Sequence, residues 1–157
     1  FCLSRGLGDV YKRQVLLSDE GSGRLRPAGP RRYTTDHPRF HAHLLACEGE
    51  EGPANSLWWG DTLLARDTVP PQPARDPALA RYAGRYWSND PWVGDVSFVV
   101  QGDRLVQEGA GPLVLHPDGA WRYANADNVT ERVWFDSIVD GRARRASLSG
   151  EPMIRLA

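Results

Sequence analysis

The stretch DVSFVVQ, Asp95 to Gln101, decides the fold class. Read as an extended chain, it places Val96, Phe98 and Val100 on one face. Gly102-Asp103 then turns the chain into Arg104 to Glu108. The rhythm continues through Pro112 to His116, the Pro117-Asp118-Gly119 turn and Ala120 to Tyr123. Glu131 to Ser137 follows. Asp140-Gly141 is a strong hairpin signal, because both positions tolerate positive φ. Arg142 to Ser149 and Met153 to Leu156 complete the series, and Arg85 to Trp87 precedes it. Six or seven short strands joined by tight turns predict an all-β, antiparallel meander that curls into a small barrel or flattened sandwich.

One helix is expected. Asp76 is a good N-cap, Pro77 suits the first helical position, and Gly84 suits the position after the last turn. Pro77 to Ala83 is therefore read as one short helix with Leu79, Tyr82 and Ala83 inward. No βαβ alternation is present, which argues against a Rossmann-type cofactor fold.

Further upstream the organisation is looser. Residues 1–14, FCLSRGLGDVYKRQ, follow neither period and hold Lys12, the only Lys of the chain. They read as translated adapter sequence and are set aside from the fold. The chain does not begin with Met, so its true start is expected to be missing. Residues 15–69 form a partial β region. Within it Val15 to Leu17 is a short apolar run, residues 24–39 are an Arg- and Pro-rich loop, and His41 to Glu48 and Leu57 to Ala65 are strands. Residues 70–76 are a linker, stiff because of Pro70, Pro71 and Pro73. Residues 77–157 are the C-terminal β-barrel-like domain.

Composition narrows the function classes. The chain has 157 residues, 41% hydrophobic and 25% charged, as in a soluble globular protein. Its net charge of -1 gives no electrostatic reason to expect nucleic acid or an anionic membrane as partner. Cys2 and Cys47 make no CxxC pair and no disulfide framework. No apolar run approaches a membrane span and no signal-peptide pattern is visible, which leans toward the cytoplasm without fixing the compartment. No Walker loop or GxGxxG asks for a cofactor, and none is expected.

Catalytic motifs are missing as well. Asp9 stands where a Ser-x-x-Lys motif ending at Lys12 needs Ser. Tyr123-Ala124-Asn125 matches a Tyr-x-Asn pattern, but without Ser-x-x-Lys or Lys-Thr-Gly the match is read as accidental. His41 and His43 would face the same way on a strand, with His37 and Asp61 nearby. Zinc there needs a third ligand the sequence does not identify, and a polar strand face beside the apolar Leu44-Leu45 run is the reading preferred for the pair. The scattered aspartates sit beside Gly, Pro or Asn and are explained by turn chemistry. The six tryptophans carry the most information. Trp87, Trp121 and Trp134 are expected as core. Trp92 is set on an Asn89-Asp90-Pro91 turn, so Trp92 and Asp90 are candidates for docking or ligand contact. Trp58 and Trp59 are further candidates for that contact.

The segment LARYAGRYWSNDPW, Leu79 to Trp92, resembles the opening of the C-terminal lipocalin-like β domain of beta-lactamase-related, penicillin-binding-protein-like bacterial serine hydrolases. ERVWFDSIVDGRARRASLSGEPMIRL, Glu131 to Leu156, is similar to the end of that domain. The likeness covers residues 77–157. The family's catalytic residues lie upstream in an α/β domain, and none transfers to this chain. The resemblance implies an accessory domain for stability, oligomerisation or shaping access to an active site, with the missing N-terminal hydrolase domain as partner. A stand-alone small barrel that holds an apolar ligand among its tryptophans is the alternative.

Overall fold

The computed structural model describes residues 2–5, 14–18, 21–48, 54–65, 68–124 and 131–157. The chain divides into two compact units, Phe1–Pro73 and Ala74–Ala157. Both are built from antiparallel strands, and no helix occurs among the described residues.

The first unit is a seven-stranded sheet in which sequence neighbours pair in order. Its strands are β1 (Cys2–Arg5), β2 (Gln14–Ser18), β3 (Gly21–Pro27), β4 (Arg32–Thr35), β5 (Leu45–Cys47), β6 (Ser56–Trp59) and β7 (Thr62–Ala65). Cys2–Arg5 pairs with Gln14–Ser18 although it lacks alternation; ladder hydrogen bonds come from the backbone and do not require it. Phe1 and residues 6–13 of the segment set aside lie outside the described residues.

Three expectations for this unit are corrected. Residues 24–39 hold a hairpin, not a loop: Leu25 pairs with Thr35 and both are buried, while Arg24 and Arg26 point to solvent. The arginines are the outward half of an alternating strand. The strand expected over His41 to Glu48 is only Leu45–Cys47, because residues 38–42 are turns that bring Phe40 into the core. Leu57 to Ala65 is two strands. Gly60, at φ +56, reverses the chain with Asp61, so Trp59 pairs with Thr62. Leu25, Phe40, Leu45 and Leu57 form the core, with Tyr33, Cys47, Trp59 and Leu64 packed on it.

The second unit is a closed barrel of eight strands rather than six or seven. They are β8 (Gly84–Trp87), β9 (Asp95–Gln101), β10 (Arg104–Gln107), β11 (Gly111–Leu115), β12 (Trp121–Tyr123), β13 (Val133–Val139), β14 (Arg142–Leu148) and β15 (Glu151–Arg155). Each pairs with the next, and β15 returns to β8 through Ile154 opposite Trp87 and Arg155 opposite Tyr86. Closure removes the free sheet edges. In β9 the predicted inward residues Val96, Phe98 and Val100 are buried, and Val99 of the opposite phase is buried as well. An eight-stranded barrel leaves an interior that side chains can fill. Here Phe135 packs against Tyr82, Phe98 and Tyr86 at ring separations of 4.9, 5.0 and 5.8 Å.

The short helix is absent. Residues 77–82 are successive turns whose amides reach back three residues, as in Leu79 to Asp76 (3.1 Å) and Tyr82 to Leu79 (3.0 Å). Asp76 Oδ1 does accept from the Ala78 amide at 2.8 Å, so the cap forms without the helix it would start. Six residues are too few to offset the cost of helix nucleation. Tertiary bonds take over instead: the Ala143 amide donates to Arg81 O (2.8 Å), and the Tyr86 hydroxyl lies 3.0 Å from Tyr82 O and 3.3 Å from Ala143 O. These bonds seat Leu79 and Tyr82 against the barrel core.

Candidate functional site

Trp92 is the most exposed large apolar side chain described, at 95%. The seven-residue loop between β8 and β9 holds it there. Asp90 organises that loop: its Oδ1 accepts from the Trp92 amide at 2.7 Å, and its carbonyl accepts from Val93 (3.1 Å) and Gly94 (2.8 Å). The Asp90 amide donates to Ser88 Oγ at 3.1 Å, and Ser88 Oγ donates to Glu151 Oε1 at 2.9 Å. The Ser88 amide closes the loop on Gly94 O at 3.0 Å. Polar groups of the loop are thus spent on one another and on β15, while an indole is presented to water. With the loop backbone fixed this way, little backbone entropy is lost when something covers the indole.

Two tryptophans expected in the core are outside. Trp87 is 41% and Trp134 38% exposed. The period of two explains it: Tyr86 takes the inner position next to Trp87, and Val133 and Phe135 flank Trp134 on the inner face. Trp121 is buried as expected and meets Tyr82 edge-on at 5.4 Å. On the outer wall Ile154 lies directly opposite Trp87 and is 61% exposed. Trp87 and Trp92 therefore belong to one stretch, the end of β8 and the loop it enters.

Trp58 and Trp59 are tied into the first unit. Trp58 is buried, and its Nε1 donates to Glu48 Oε1 at 2.9 Å. Trp59 Nε1 donates to Phe40 O at 3.2 Å, with the Phe40 ring 5.3 Å and the His43 ring 5.7 Å away.

The strand that would align His41 and His43 does not form there. His41 Nδ1 lies 2.6 Å from Pro38 O, and His43 packs on Trp59. His37 is fully buried, its Nδ1 accepting from the Arg39 amide at 3.2 Å. Asp61 Oδ1 accepts from the Thr62 hydroxyl at 3.2 Å. Among the described residues no three His, Cys, Asp or Glu side chains converge as a metal site would require. Asn125 of the Tyr-x-Asn match lies outside the described residues.

Burial pushes the Tyr123 phenol up to about 12, helped by the nearby Glu131 carboxylate and opposed by a hydrogen bond to Gln107. Tyr86 is raised too, by burial first, with Arg155 pulling the other way. Burial also raises the Cys47 thiol, against the pull of Arg31. These shifts run opposite to the lowered pKa that activates a thiol or phenol as a nucleophile.

Comparison with protein-family models, with curated proteins and with solved structures finds no match.

Proposed function

We propose that this chain is the non-catalytic, lipocalin-like C-terminal accessory domain of a beta-lactamase-related serine hydrolase. The observation that carries the reading is where the residues of Leu79 to Trp92 fall. Leu79 and Tyr82 pack on the barrel core, Tyr86 ties them to β14, and Asp90 projects Trp92. Residues that carry the likeness, in the turns, in β8 and in the loop after it, have identifiable structural work, and this supports the reading. On this reading Trp92 meets the missing hydrolase domain, since an exposed aromatic on a hydrogen-bonded loop suits an interface anchor. Filling of the interior by Tyr86, Phe98, Leu105 and Met153 favours this role over that of an apolar-ligand carrier.

Sequencing the source locus upstream of Val15 tests the parentage. A frame that continues into an α/β domain with Ser-x-x-Lys supports it; a start codon immediately before Val15 overturns it. Treating the purified chain with a fluorophosphonate probe tests the lack of catalysis. No labelling is expected, and stoichiometric labelling would show a nucleophile that the reading denies.

A further inference from the structure

Four consecutive strands of the barrel wall, β14, β15, β8 and β9, carry Arg145, Ile154, Trp87 and Asp95 as one registered row. All four point outward, opposite in phase to buried Ala146, Met153, Tyr86 and Val96. Across the wall the row reads positive, apolar, apolar, negative. It is antisymmetric about the seam where β15 meets β8.

Antisymmetry is what an isologous interface needs, because residue i must meet j while j meets i. Consider a second copy turned about a twofold axis that runs along the seam. Ile154 of each copy then falls on Trp87 of the other, and Arg145 of each falls on Asp95 of the other. We propose that the β15–β8 seam binds a second copy of this chain in this arrangement. The inference does not depend on the proposed hydrolase parentage; it needs only the outer face of the barrel.

Three observations favour a copy over another occupant. The row is charge-balanced, so an acidic or a basic partner would leave one flank opposed, whereas a copy satisfies both. The flanking groups retain capacity. Arg145 spends Nε on Asp136 at 3.4 Å, and Asp95 spends Oδ2 on Arg85 at 2.6 Å, which leaves other guanidinium donors and Oδ1 for a partner. Curvature suits the pattern as well. A closed barrel is convex, so two walls touch along the seam and diverge on either side. Apolar side chains occupy the line of contact, and a long arginine stands where a gap must be spanned. Since the barrel leaves no free edge, association occurs by side chains and not by strand addition.

Sedimentation equilibrium of the full chain over a dilution series is the test. A reversible monomer–dimer equilibrium is expected, and a chain monomeric at every concentration overturns the proposal. Arg145→Glu alone and Asp95→Lys alone should each weaken the dimer about tenfold, because each places like charges together twice. Both positions are exposed, so near-ultraviolet circular dichroism should match the parent chain. The decisive measurement is an equimolar mixture of the two variants. The introduced carboxylate then meets the introduced ammonium, the original Arg145–Asp95 contact survives once, and association returns. A mixture no tighter than either variant alone, or single variants as tight as the parent chain, overturns the proposal. Trp87→Glu should abolish association in any mixture.

Discussion

A Cβ placed on Gly23 would lie 2.4 Å from the Cβ of His37 and 2.5 Å from its backbone nitrogen. Those atoms cannot swing aside as the tip of a long side chain could. His37 is itself fully buried and holds the Arg39 amide. Gly23→Ala should therefore destabilise the first unit by about 1–3 kcal/mol, the range for forced overpacking. Urea unfolding followed by tryptophan fluorescence reads this, and an unchanged midpoint would contradict the close approach. Tyr123 gives a second prediction at this scale. With its pKa raised from 10.0 to about 12, the folded chain keeps a proton that the unfolded chain releases. Its stabilising contribution is thus complete below pH 10 and declines as pH rises from 10 to about 12. Tyr123→Phe should flatten that decline, at the cost of the hydrogen bond to Gln107, about 1 kcal/mol at neutral pH. Chemical denaturation at several alkaline pH values checks the sign; a loss equally steep in the variant would assign the decline to other groups. None of this was legible in the sequence. Nothing local in the sequence brings Gly23 against His37, because nothing local reports which strand will cross which.

Among the elements, those with clean alternation were legible and those whose pattern was masked by polar residues were not. DVSFVVQ forms β9 with Val96, Phe98 and Val100 buried as read, although Val99 between them is buried too. β3 was missed because its inward positions are Gly23 and Leu25, flanked by arginines that suggested a loop. β13 loses its period at Ser137, where φ is +54 and the pairing skips from Asp136–Arg145 to Ile138–Ala143. The turn segment at 77–82 shows tertiary contacts overriding local signals. N-cap, proline and glycine were all in place, yet bonds to Tyr86, Ala143 and Arg155 hold the segment as turns. Tyr86→Phe keeps the ring and removes the hydroxyl that lies against both Tyr82 O and Ala143 O. It should cost about 1–2 kcal/mol. Hydrogen exchange at the Ala143 amide, which donates to Arg81 O, should accelerate; exchange as slow as in the parent chain would mean the hydroxyl does not fasten the segment. The strand edge at β7 follows the same logic. Gln72 Oε1 accepts from the Leu63 amide at 2.9 Å and its Nε2 donates to Leu63 O at 2.8 Å, so one side-chain amide stands in for a neighbouring strand. The proline-rich stretch that read as a spacer also covers an edge.

At the scale of the whole molecule, the two units face the edge problem differently. The seven-stranded sheet of the first ends at β1 and β7, whereas the barrel of the second closes on itself. The barrel unit also carries its own core, with Tyr86, Phe98, Leu105, Val133 and Met153 all nearly inaccessible to solvent. Its terminal contacts are internal: the Asp76 amide donates to Gly102 O at 3.2 Å and the Leu156 amide to Arg85 O at 2.8 Å. A fragment of Ala74–Ala157 should therefore fold alone in a cooperative transition. A domain of about 80 residues buries a modest share of its surface, so its stability should sit at the low end, roughly 3–5 kcal/mol. Coincident urea transitions by far-ultraviolet and near-ultraviolet circular dichroism check this. A fragment that keeps strand signal but loses the near-ultraviolet bands of Trp121 and its neighbours would mean that the barrel core needs residues before Ala74. In the same fragment Trp92→Ala should leave the midpoint within about 0.5 kcal/mol of the parent, since an indole 95% exposed contributes little to the fold that displays it. A larger loss would place Trp92 among the residues that hold the barrel together, and it would remove the reason to regard it as a surface kept for a partner.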